Sequence, residues 1–187
     1  MKKALALIAA VGFVSAASAV SLQWTVSGIA FGGETLKNNN DVTASLIYLG
    51  HGVSIADSYS IDELTAKPVK NSATGTTNKG AITNPYNFPD VSDYTTYNGD
   101  VFGLLLTYTK DGKTYYNLSS EAYTVSGLAN ATSTLTAYKP AASTFAYGTQ
   151  TVSSTVAKGG GWTAVPEPSV ALMGLLGLGM LIKRRRA

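Results

Sequence analysis

A chain of 187 residues without cysteine must be held together by its core, and its formal net charge of +3 comes entirely from its two ends. Between Val20 and Ala164 eight lysines face ten carboxylates, a net of −2 with no arginine and no run of either sign. That excludes nucleic acid as a partner, because polyanion recognition leaves a clustered, arginine-rich footprint.

Met1-Lys2-Lys3 is a positive leader start, Ala4 to Val14 an apolar stretch, and Ala17-Ser18-Ala19 places small residues where a signal peptidase needs them. Residues 1–19 therefore read as a secretory signal peptide recognised at Ala17 and Ala19 and cut after Ala19. A spanning helix needs roughly 20 apolar residues. This run is shorter and is interrupted by Gly12, Ser15 and Ser18. Export through the Sec translocon follows, with signal peptidase as the first partner.

Residues 20–157 are expected to form one all-β domain, an antiparallel sandwich-like body. Length supports a single domain, since a chain of this size buries roughly 68–70% of its unfolded surface. Val20 to Ser27 alternates apolar and polar, placing Val20, Leu22, Trp24 and Val26 on one strand face. Val42 to Leu49, bounded by Asn/Asp and Gly turn residues, is expected to be a second strand returning from a hairpin. From Ile55 to Asp100 long loops are expected. Within them, Ser60-Ile61-Asp62-Glu63 has capping-box form and predicts one helical turn closed by Lys67-Pro68. Asn71 to Lys79 is polar and Gly/Thr-rich, and Pro85 and Pro89 bar a central strand.

Val101 to Ser119 predicts a hairpin about Asp111-Gly112, a pair suited to a type I′ turn because both residues accept positive φ. The two-residue loop sets Tyr108 opposite Tyr115, Thr107 opposite Tyr116 and Leu105 opposite Leu118, in the middle of the sheet. Short strands are expected at Ala122–Val125, Ser133–Tyr138, Thr144–Tyr147 and Thr151–Val156. Residues 158–164, Lys-Gly-Gly-Gly-Trp-Thr-Ala, read as a flexible linker, with Trp162 either at a membrane interface or packed on the last strand.

No catalytic, cofactor or metal residues are assigned, and the chain does not read as an enzyme. The single histidine, His51, lies between glycines without a second His or Cys to share a metal. No nucleophile elbow, zinc-helix motif or phosphate loop occurs. Asp90, Asp93 and Asp100, or Asp57, Asp62 and Glu63, could supply oxygen ligands to calcium, but scattered carboxylates in such numbers read as solvated loop residues, since calcium takes 6–8 oxygens. Eleven tyrosines lie in the body and suit a half-exposed sheet, where rings also stack on sugars. The sequons at Asn117 and Asn130 carry weight only in a eukaryotic secretory route.

The C-terminus is the most specific segment. Val165-Pro166-Glu167-Pro168-Ser169 precedes the apolar run Val170 to Ile182, which stops at Lys183-Arg184-Arg185-Arg186-Ala187. The prolines keep Glu167 out of any helix, and the four cations oppose translocation. Thirteen residues span only about 20 Å as a helix against a core of about 30 Å, which suits a transient transmembrane anchor. This order of elements over residues 165–187 resembles the PEP-CTERM sorting signal of bacterial exported proteins. The resemblance implies a sorting motif at Val165, Pro166, Glu167 and Pro168 and a stop-transfer cluster at Lys183, Arg184, Arg185 and Arg186. It further implies that an exosortase, a membrane-embedded cysteine-type transpeptidase, reads the motif, removes the helix at the inner membrane and passes the protein to the cell surface. The expected product is a non-catalytic surface or extracellular-matrix protein. The alternative is a carbohydrate-binding module that meets exopolysaccharide through a Tyr-rich sheet face.

Overall fold

A computed structural model describes residues 20–166 of the chain, so the leader with Ala17 and Ala19, the anchor and the basic cluster lie outside the described residues. Within them the fold is all-β with one short α-helix. Strand β1 (Ser21–Val26) buries Leu22, Trp24 and Val26, as the alternation predicts, and Val20 just before it is also buried. β2 (Ala30–Phe31) and β3 (Glu34–Thr35) form a small hairpin, and β4 (Val42–His51) follows. β5 (Ser58–Ser60) leads into α1 (Ile61–Ala66), where the Ser60–Glu63 capping box is complete and Ile61 and Leu64 face inward. β6 (Val69–Thr74), β7 (Ile82–Asn87), β8 (Asp100–Lys110) and β9 (Lys113–Leu118) come next. β10 (Tyr123–Thr124), β11 (Gln150–Val152), β12 (Thr155–Ala157) and β13 (Trp162–Ala164) complete the order.

The main sheet runs β11-β13-β9-β8-β4-β6, with β10 joining β8 where β9 has ended. Its pairings are antiparallel except β11 with β13, which is parallel, so the sheet is mixed. The β8–β9 hairpin has the expected register, with Tyr108 opposite Tyr115 and Leu105 opposite Leu118. Asp111 and Gly112 sit at φ of 51° and 74°, as a type I′ turn requires.

Alternate residues of β4 and β8 serve two cores. Val42, Ala44, Leu46, Leu104 and Leu106 meet Leu22, Trp24 and Val26 of β1 on one face. On the other, Ile47, Leu49, Val101 and Leu105 meet Ile61 and Leu64 of α1 and Val156 of β12. Strand β8 is thus buried continuously from Val101 to Leu106, covered on both sides, which explains its near-continuous apolar run.

Several expected loops and strands differ. β4 does not return beside β1; it pairs with β6 and β8, while β1 pairs with β7. β7 contains Pro85 opposite Gln23, a position open to proline because the two-stranded sheet needs no second ladder there. The polar stretch from Asn71 begins as edge strand β6, whose Thr74 hydroxyl meets that of Thr43 at 2.9 Å. Ser133–Tyr138 is not a strand: Asn130 and Ser133 side chains bond nearby backbone amides, and only Tyr138 reaches β1, through a bridge to Trp24. A 3₁₀ turn (Ala142–Phe145) replaces the strand expected at Thr144–Tyr147, with the Thr144 hydroxyl donating to Ala141 O at 2.8 Å. Ser153 accepts from Thr155 N and splits Thr151–Val156 into β11 and β12.

The largest correction concerns residues 158–164. They are not a tether. β13 is an inner strand between β9 and β11, and Trp162 is fully buried against Phe31, Tyr108 and Tyr147, its Nε1 donating to Ala30 O at 2.8 Å. Gly161 has φ of +86°, and a Cβ there would stand 2.5 Å from Thr149 O, so this glycine answers a close approach rather than a need for slack.

Candidate functional site

The sequence-predicted site is the sorting motif, and the structure describes its first two residues. Trp162 N donates to Thr149 O at 2.8 Å and Ser153 N donates to Ala164 O at 3.1 Å, which fixes both ends of β13 to the β11 side. On the other side Thr163 pairs with Tyr116 and Ala164 with Tyr115. Exposure rises from 5% at Ala164 to 44% at Val165, and Pro166 is exposed as well. The strand ends here because Pro166 has no amide hydrogen to donate. The motif therefore starts one residue beyond the sheet, with no spacer. Glu167 and Pro168 lie outside the described residues.

Two hollows flank Val165. One, of about 370 Å³, runs between Lys113 and Tyr115 of β9, Gln150–Val152 of β11 and the junction itself. The other, of about 220 Å³, opens toward Ser60, Asp62 and Ser154. The Tyr115 ring is half-buried and held edge-on to Phe31 at 4.8 Å, so it forms a fixed wall of the larger groove. Val152, 72% exposed, stands on its outer rim. Sequence reasoning missed this groove, although the β-forming Trp-Thr-Ala-Val before Pro166 was the available signal.

A second cluster surrounds His51 at the far end of β4. Asp100 Oδ1 accepts from the Tyr48 hydroxyl at 3.1 Å and lies 3.1 Å from His51 Nδ1. Burial, then the Asp100 carboxylate, pushes the Tyr48 phenol above its ordinary pKa. Lys70 Nζ lies 5.2 Å from the Tyr48 ring centre. Among the described residues no hydrogen bond joins His51 to a serine or threonine hydroxyl.

The remaining carboxylates serve the loops. Asp93 accepts from Thr95 N and Oγ1, Asp90 from the Tyr94 hydroxyl, and Asp57 pairs with Lys158 at 2.9 Å. The Thr95 bonds hold Asp93 below the usual carboxylate range, and Lys158 does the same for Asp57. Among the described residues no three His, Asp or Glu side chains converge on a metal position. The tyrosines are likewise committed: none of the eleven is exposed. Tyr48, Tyr94, Tyr97 and Tyr138 donate their hydroxyls to partners inside the fold. Asn117 is fully buried with Nδ2 on Phe145 O, whereas Asn130 is exposed and caps its own turn.

No protein-family model, no curated protein and no solved structure matches the chain.

Proposed function

We propose that the protein is an exported bacterial surface or extracellular-matrix protein with a non-catalytic structural β-domain, sorted through its C-terminal PEP-CTERM-type signal. The body is read as a single sandwich-like unit, exported by the Sec translocon and trimmed by signal peptidase after Ala19. The anchor Val170 to Ile182 then holds it in the inner membrane until an exosortase acts at Val165-Pro166-Glu167-Pro168. The observation that supports this reading is the junction: the buried inner strand ends at Ala164 and passes directly into exposed Val165 and Pro166, the first two residues of the motif.

The glycan-binding alternative has less support, because a stacking platform needs accessible rings and every tyrosine here is buried or half-buried. Silence of the protein on a glycan array fits the structural reading. Binding that Tyr48→Ala or Tyr97→Ala abolishes would favour the alternative.

The decisive experiment changes Pro166-Glu167-Pro168 to three alanines in a host that carries an exosortase. The full-length chain is expected to stay in the inner membrane, since the anchor remains while the motif is gone. Normal processing and display of that variant would reduce the tail to a simple anchor.

A further inference from the structure

We propose that Asn98-Gly99 is a site of spontaneous covalent modification that the fold holds shut, so that deamidation there records, and makes permanent, an opening of the joint between the 3₁₀ turn (Tyr94–Tyr97) and β8. The chemistry is that of any Asn-Gly pair. The Gly99 amide nitrogen loses its proton and attacks the side-chain carbonyl carbon of Asn98, ammonia leaves, and a five-membered succinimide joins the two residues. One water then opens the ring, to aspartate or to isoaspartate, in which the main chain runs through the side chain. Water is the only co-reactant. Glycine favours the attack because it has no side chain to shield its nitrogen or restrict its backbone.

Both reacting groups are engaged in the folded chain. Asn98 is half-buried, with Nδ2 donating to Leu128 O at 2.8 Å and Oδ1 accepting from Leu128 N at 2.9 Å. Gly99 N donates to Val125 O at 2.9 Å. The Asn98 amide must turn away from Leu128, and Gly99 N must leave Val125, before the two meet. The same contacts explain why so labile a pair stands here. Gly99 has φ of +98°, and a Cβ there would stand 2.9 Å from His51 Cε1. Position 98 needs a donor and an acceptor on one short side chain, which an amide supplies and a carboxylate does not. Aspartate at 98 leaves Leu128 O without its donor and sets a negative charge against it. Leu128 is only 2% exposed and belongs to the main core. The product therefore does not rebuild the clip, and the strandless segment from Val125 to Leu128 loses a tie to the sheet.

Peptide mass spectrometry of the full chain in detergent at mildly alkaline pH, with and without guanidinium chloride, tests the site. Trypsin releases residues 80–110, which hold Asn84, Asn87 and Asn98. Asn84 precedes Pro85, which has no amide proton to lose, and Asn87 precedes the bulky Phe88. Fragmentation of the peptide places any deamidation on one of the three. The expected rate at Asn98 is about a hundred-fold lower in the folded chain than in the unfolded one, as for a group that reacts only through a rare local opening. Equal rates in the two states would overturn the protection, and deamidation appearing first at Asn87 in the unfolded chain would overturn the site. Asn98→Asp stands for the product. A lower denaturant midpoint than the parent chain, or failure to fold, is expected of it, and an unchanged midpoint would show that the clip survives the change and that the opening is not made permanent.

Discussion

Tyr147 shows how closely side-chain chemistry and stability are joined in this core. Its ring stacks on Phe145 with centroids 5.4 Å apart and lies against Trp162, but its buried hydroxyl has no partner among the described residues. A buried hydroxyl without a bond has lost its water and gained nothing in return. Tyr147→Phe is therefore expected to raise stability by about 1 kcal/mol, measured as a higher denaturant midpoint. Burial also pushes the Tyr147 phenol well above its ordinary value, and Tyr138 behaves likewise. Because the folded pKa is raised, the stability these phenols contribute is complete below the unfolded value near 10 and falls as pH climbs toward the folded one. Alkaline unfolding should thus coincide with phenolate absorbance near 295 nm. Tyr147→Phe should move that transition to higher pH, and an unchanged midpoint would contradict the burial argument.

At the scale of elements, β13 decides how the C-terminal region behaves. If it is an inner strand, Trp162→Ala removes a fully buried indole and should cost about 3–5 kcal/mol. Gly161→Ala should cost more than about 1 kcal/mol, from its left-handed backbone and the contact with Thr149 O. Chemical denaturation of both variants is the check, since a free tether would tolerate either change. The difference between legible and illegible elements is physical. The Asp111-Gly112 turn and the Ser60–Glu63 box were readable because their geometry is satisfied within four residues. The inward face of β1 was readable because alternation is local too. β6, β7 and β13 were not. Their polar or proline-bearing sequences become strands only because β4, β1 and β9 offer ladders from distant parts of the chain. The glycines before Trp162 misled for a related reason, as composition alone does not separate a glycine chosen for freedom from one chosen for lack of room. The groove beside Val165 was not legible, because its β9 and β11 walls are 35 residues and more apart along the chain.

The molecule as a whole is built on one main sheet whose central strands pack on both faces, and it grips the chain at both ends of the body. Val20 is only 2% exposed, and its carbonyl accepts from Phe88 N at 2.8 Å. The proposed peptidase cut lies at the bond before that residue. A protease binds several residues in extended form on each side of its target, and strand β1, paired along its length with β7, cannot lend them once folded. If a leader is cut at that bond, its removal must come before closure of the sheet, whereas the Val165 joint is complete only after β13 has docked. Pulse-chase export should show the leader lost before the body resists added protease. A protease-resistant species that still carries its leader and is trimmed later would break that order. On the proposed cut after Ala19, the burial of one valine works as a clock: the front of the chain would be open to cutting only while the protein is unfolded, and the back is held in place only once it has folded.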